Sequence, residues 1–257
     1  MNTFLYVIIF IIGCFFGSFF TLAVYRIPRK EDILIKHSYC PNCNHKLGFF
    51  DLFPVLSYIF LGGKCRYCGN KIRPRYLILE VLSGCTFLSL ALSCKITVFS
   101  DSNLLISFVF LLLYISVLFI ISGIDKENIK VEKSVLFFGF VIEILYIIYQ
   151  YTLGIYSVYQ YVMYIVIFII LLILSNISLK FTLKEKYFVQ NLYLALYMII
   201  FCGGKVYVLS VILTLLVIII YKIISSKKNK KLPIAFYLST SNILVLLMSN
   251  VVINYMI

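Results

Sequence analysis

The chain has 257 residues, 63% of them hydrophobic and 13% charged, with a mean hydropathy of +1.04 and a net charge of +13. That usage lies far outside the range of soluble domains and excludes a soluble globular enzyme. The positive balance is what anionic lipid on an inner leaflet attracts, so the bilayer is the expected partner and nucleic acid is not.

The first apolar stretch covers residues 3–25. Gly13, Cys14 and Gly17 lie in its middle, and the basic residues 26–30 follow the run rather than precede it, so it reads as a retained anchor and not a cleaved signal. Gly13 and Gly17 form a GxxxG pair, which permits close approach of a neighbouring helix. Seven further stretches follow, near 77–94, 103–124, 134–150, 158–179, 188–202, 206–224 and 234–253, each compared with the roughly 20 residues needed to cross the hydrocarbon core. The sixth of the eight, 188–202, is short. The expected fold is therefore all-α and polytopic, with about eight transmembrane helices. With both termini outside, the inner loops hold 21 of the 23 basic residues and the outer side keeps only Lys95 and Lys205. The expected plan is a first helix over 1–25, a cytosolic unit over 26–76 and a helical bundle over 77–257.

The 26–76 segment, about 50 residues with few apolar side chains, lacks a core of its own. It carries CPNC at 40–43 and CRYC at 65–68. Two CxxC pairs facing each other complete the tetrahedral sulfur shell that zinc prefers, and on the reducing cytosolic side disulfides are rare. Cys40, Cys43, Cys65 and Cys68 are the expected ligands of one structural zinc that supplies folding free energy. With four thiols available, His37 and His45 read as surface histidines, and Cys14, Cys85, Cys94 and Cys202 as small apolar residues.

Three carboxylates stand at or in apolar stretches, where charge is costly. Glu80, at the inner start of the second stretch, reads as a helix N-terminal carboxylate facing the dipole. Glu143 lies inside the fourth, with no partner named by the sequence. Asp125 ends the third, in SGIDKE at 122–127, where a solvated loop aspartate is the plain alternative.

GSFFTLAVYRIP at 17–28, CPNC at 40–43, DLFPVLSY at 51–58 and GKCRYCGNKIRPRYLILE at 63–80 arrive in one order at one spacing. Together they resemble the N-terminal third of the type IV prepilin peptidases, with Gly17, Ser18, Arg26, Pro28 and Glu80 among the matching positions. The resemblance implies a bifunctional enzyme of the bacterial inner membrane. Such an enzyme is an intramembrane aspartic endopeptidase that cuts prepilin or pseudopilin leaders after a glycine at the cytosolic face. It then methylates the new N-terminus from S-adenosylmethionine, and it serves type IV pilus and secretion systems. Two aspartates held close share a proton, one activating water while the other hydrogen-bonds the scissile carbonyl. Asp125 falls where the first is expected. The second would end a Gly-x-Gly-Asp motif, and the equivalent stretch here is FVQN at 188–191, with Asn191 in its place and Glu185 the nearby substitute. The usual downstream proline is absent from 125–134, the late Gly-Pro is replaced around 233–238, and Thr21 stands where asparagine is usual. The alternative is thus an inactive or methyl-transfer-only relative that binds prepilins or their assembly platform.

Overall fold

The computed structural model describes residues 1–33, 37–154, 158–178, 183–224 and 232–248, without the side chains of 158, 160, 171, 172, 174–178 and 183–186. The chain divides into two compact units, Met1–Ser102 and Asn103–Ile257. Among the described residues, five helices are long and apolar enough to cross a membrane. The protein is an all-α, multi-pass membrane protein, as expected where lipid offers the backbone no hydrogen bonds and each helix satisfies its own.

In the first unit, α1 (Asn2–Arg26) packs antiparallel to α3 (Arg75–Ser93). Glycine sets the approach. A Cβ on Gly17 would lie 2.6 Å from the Glu80 Cα, and one on Gly13 would lie 2.8 Å from the Gly84 Cα. Pro28 opens a 3-10 turn at Ile27–Arg29 that ends α1. Between the helices run the two cysteine knuckles and a short connecting strip, a 3-10 turn at Phe49–Asp51 followed by α2 (Leu56–Phe60). This strip corrects the reading of the segment as poor in apolar side chains. From Phe49 to Leu61 nine residues are Phe, Leu, Val or Ile, but the run is too short and too broken by Asp51 and Pro54 to register as a span.

The second unit contains α4 (Ser102–Asn128), α5 (Lys133–Thr152), α6 (Val158–Ser178), α7 (Leu183–Ile224) and α8 (Ile234–Met248). A straight helix of 42 residues would run about 63 Å, yet both ends of α7 reach the start of α8. The Ile234 amide donates to the Tyr187 hydroxyl at 2.8 Å, and the Tyr221 and Tyr237 rings lie 6.1 Å apart. The reversal is at Gly203 (φ 76°, ψ 163°), a backbone conformation left to glycine. The sixth and seventh apolar stretches are therefore the two arms of one element.

Candidate functional site

The two knuckles repeat one local design. The Cys40 amide donates to the His45 carbonyl and the Asn44 amide to the Cys40 carbonyl; the Cys65 amide donates to Asn70 and the Gly69 amide to Cys65, at 2.8 to 3.0 Å throughout. Asn44 (φ 56°) and Gly69 (φ 68°) take the left-handed turn that closes each, and small bridges pair Tyr39 with Lys46 and Lys64 with Lys71. The four sulfurs converge within 4.8 Å of one another, Cys40 and Cys68 at 4.0 Å. Zinc bonded to four sulfurs at about 2.3 Å requires neighbouring sulfurs roughly 3.8 Å apart, so the donor set fits a tetrahedral metal ion. The Asn70 amide draws the Cys68 thiol down to about 7. At Cys43 the His45 amide also lowers the pKa, but burial and the Cys40 and Cys68 sulfurs push it up to about 11. Thiols this close oppose one another's ionisation, and a cation relieves that opposition. Neither histidine joins the cluster: the His45 ring packs on Tyr67 at 3.6 Å, and the His37 carbonyl accepts from Arg26.

The other matched positions of the first unit tie the knuckles and strip to the helices. Buried Arg26 donates to the Asp32 and His37 carbonyls at 3.0 and 3.1 Å. Glu80 is not directed to its own helix terminus. Its Oε2 accepts the Val55 amide at 2.8 Å, and Ser18 also hydrogen-bonds it. Asp51 takes the Gly48 amide, Arg66 and the Tyr67 hydroxyl; burial raises its pKa, but these three donors prevail and hold it below the usual carboxylate range.

In the second unit, Asp125 sits in the last turn of α4 with no solvent exposure. Its Oδ1 accepts the Tyr187 hydroxyl at 2.8 Å, and its Oδ2 accepts that hydroxyl at 3.0 Å and the Phe236 amide at 2.9 Å. The Tyr187 oxygen in turn accepts the Ile234 and Ala235 amides. The first amides of a helix have no partner within it. Asp125 and Tyr187 thus cap α8 from two other helices. Asn191, one turn after Tyr187, donates to the Tyr187 carbonyl at 2.8 Å, and its Oδ1 is buried without a hydrogen-bond partner among the described residues. Among the described residues no carboxylate contacts Asp125. Glu185 lies in α7, two residues before Tyr187, and its side chain is outside the described residues. Tyr187 is the participant that sequence reasoning missed.

Further along the bundle, Asn242 joins Tyr114 (2.9 Å), Ser210 (3.1 Å) and Cys202 (3.8 Å) in a buried polar group. Glu143 is buried beside α7, and its Oε1 and the Tyr197 hydroxyl lack a partner among the described residues.

Residues 11–94 match the family model described as the Bacterial Peptidase A24 N-terminal domain. Three similar proteins are each named prepilin leader peptidase/N-methyltransferase. The one from Vibrio cholerae is 40% identical over 87 residues, covering 30% of this chain and 34% of the relative. That from Myxococcus xanthus is 37% identical over 81 residues (32% and 24%), and that from Bacillus subtilis is 40% identical over 80 (31% and 32%). The chain thus spans about a third or less of the length of each of these three relatives. No solved structure matches. Over the first unit the resemblance to the type IV prepilin peptidase family holds.

Proposed function

We propose that this chain acts on prepilin-type substrates at the cytosolic face of the bacterial inner membrane, as an endopeptidase of the prepilin leader class that cuts after glycine with Asp125 as its acid-base carboxylate. The observation that carries this reading is the match over residues 11–94 to relatives of that name. The burial of Asp125 at a helix end, beside the helix that bears Asn191, supports it. In this plan residues 26–76 form a zinc-stapled unit on the cytosolic side, and the bundle of 77–257 carries the acid. The four cysteines would hold zinc as a structural ion; it supplies folding free energy and no step of hydrolysis. The resemblance also implies S-adenosylmethionine as the donor for methyl transfer.

A second reading, a relative that holds prepilins without cutting them, rests on the Asp125 surroundings. Aspartic hydrolysis needs a second acid to share the proton, and what Asp125 meets is a tyrosine hydroxyl and a backbone amide. An amide at 191 cannot take that part. Co-expression with a prepilin separates the readings. Leader removal by the native chain, abolished in Asp125→Ala, is the expected result for the endopeptidase. Removal that persists in Asp125→Ala overturns the aspartic mechanism, and an intact leader with prepilin still retained by the chain establishes the second reading.

A further inference from the structure

The strip between the two knuckles has features that neither metal binding nor peptide hydrolysis requires. Phe50 is 78% exposed, Ile59 60% and Phe60 83%, with Phe49, Leu52 and Leu56 exposed beside them. So continuous an apolar surface on a soluble loop would be an aggregation liability. Its position relative to α1 and α3 accounts for it. Gly17 packs on Glu80 and Gly13 on Gly84, which places Arg75, the first residue of α3, level with residue 22 of α1. The 19 residues of α3 span about 28 Å, close to one hydrocarbon thickness, so the lipid boundary falls near Arg75. Phe53 packs on Phe15 of α1, ring centroids 5.4 Å apart, and Phe49 lies 6.4 Å from Phe53. Phe15 is seven residues below the boundary level, a depth of about 10 Å.

Backbone near that depth is stabilised when its polar groups are satisfied internally, and much of the strip's backbone is. The amides of Asp51, Leu52, Leu56, Ser57, Ile59, Leu61, Gly62 and Gly63 all donate to carbonyls within residues 48–59. The Val55 amide, which the turn leaves over, is met by the buried Glu80 carboxylate from α3, and the Gly48 amide by Asp51. A loop standing in water would need no buried acid to satisfy one amide. The surface is also continuous with the lipid-facing side of α1, where Phe15 and Phe19 are exposed, and is bracketed by Lys46, Lys64, Arg66 and Lys71, suited to anionic headgroups.

We infer that residues 49–60 form a membrane-inserted foot, which lays Phe49, Phe50, Ile59 and Phe60 among the acyl chains of the adjacent leaflet and fixes the metal knuckles at the bilayer surface. The depth matches that of helices lying in an interface.

The chain contains no tryptophan, so Phe60→Trp and Phe50→Trp each give a single reporter in the full-length protein reconstituted into phosphatidylglycerol-containing vesicles. The expected result is blue-shifted emission, loss of most of its intensity when the lipids carry bromine near the glycerol end of the chains, and little quenching by aqueous iodide. Water-like emission quenched by iodide and untouched by brominated lipid overturns the inference. So does shielding that appears only when a prepilin leader peptide is added, which would make the surface a protein site. The metal content of each variant, with Ile59→Trp as a third reporter, shows that the knuckles are intact.

Discussion

Gly17→Ala offers the sharpest test of how the first unit is held. The new Cβ would lie 2.6 Å from the Glu80 Cα and 2.9 Å from the Leu79 carbonyl oxygen, both backbone atoms of α3, whereas ordinary contact begins at 3.4 Å. Helix α3 must therefore withdraw by about 0.8 Å at that level, an overpacking cost of roughly 1 to 3 kcal/mol. The same movement carries Glu80 from the Val55 amide, whose 2.8 Å hydrogen bond would lengthen to about 3.6 Å, beyond a real bond. The orphaned amide costs roughly another 1 to 3 kcal/mol. The two together amount to roughly 2 to 6 kcal/mol, read as a lowered thermal midpoint of the detergent-purified protein. Gly204→Ala is the control, because its nearest neighbour, the Tyr164 hydroxyl, is already at 3.4 Å. It should be neutral within about 0.5 kcal/mol. Equal midpoints for the two variants would refute the packing argument.

Cys65→Ser, or prolonged exposure to a strong chelator, should reduce zinc from one ion per chain to none and open residues 37–73 to protease while α1 and α3 stay paired; elemental analysis and a timed digest check this, and a knuckle equally resistant without metal would contradict it. Tyr187→Phe should destabilise the second unit by about 1.5 to 3 kcal/mol, since it removes a donor to Asp125 and the acceptor for Ile234 at once; chemical unfolding measures it, and a neutral result would mean that water replaces the hydroxyl. Asn191→Asp replaces a donor to the Tyr187 carbonyl with an acceptor, so it should cost roughly 1 to 3 kcal/mol of stability. If the second reading of function is right, it should also bring leader cleavage that the native chain lacks, visible as a mobility shift of co-expressed prepilin.

Legibility followed chain distance. The apolar stretches are written in consecutive letters: α1, α3, α4 and α5 begin and end within about four residues of the stretches that announce them, and α8 begins where its stretch does, the rest of which lies outside the described residues. The knuckles were legible because ligand type and spacing carry the geometry; the left-handed turns at Asn44 and Gly69 came only with the fold. The surroundings of Asp125 were not. Tyr187 is 62 residues away, and the Phe236 amide 111 residues away has no letter of its own, so only the folded chain shows that the acid caps another helix. The joining of the sixth and seventh stretches was hidden for a different reason. Gly203 and Gly204 mark a break, but whether a break becomes a loop or a one-residue reversal depends on the dihedral angles that neighbouring contacts impose.

The motif over residues 17–80 reads in sequence as a signature of chemistry, yet in the first unit its members meet around a backbone amide. Gly17 lets α3 approach, Ser18 hydrogen-bonds Glu80, and Glu80 receives Val55. Val55 has φ 64° and ψ −54°, a conformation that a β-branched residue adopts only under constraint and at a cost of about 1 to 3 kcal/mol. A strained residue persists where its surroundings leave it no alternative, and here one buried carboxylate supplies the constraint. Removing that carboxylate in Glu80→Ala frees the turn to relax and leaves an amide unsatisfied in apolar surroundings, so the strip should leave α1 and expose its phenylalanines to water. In that reading the spacing from Gly17 to Glu80 records the distance over which two helices must hold the knuckle-bearing segment, and Asp125, the acid proposed for the chemistry, lies in the other unit.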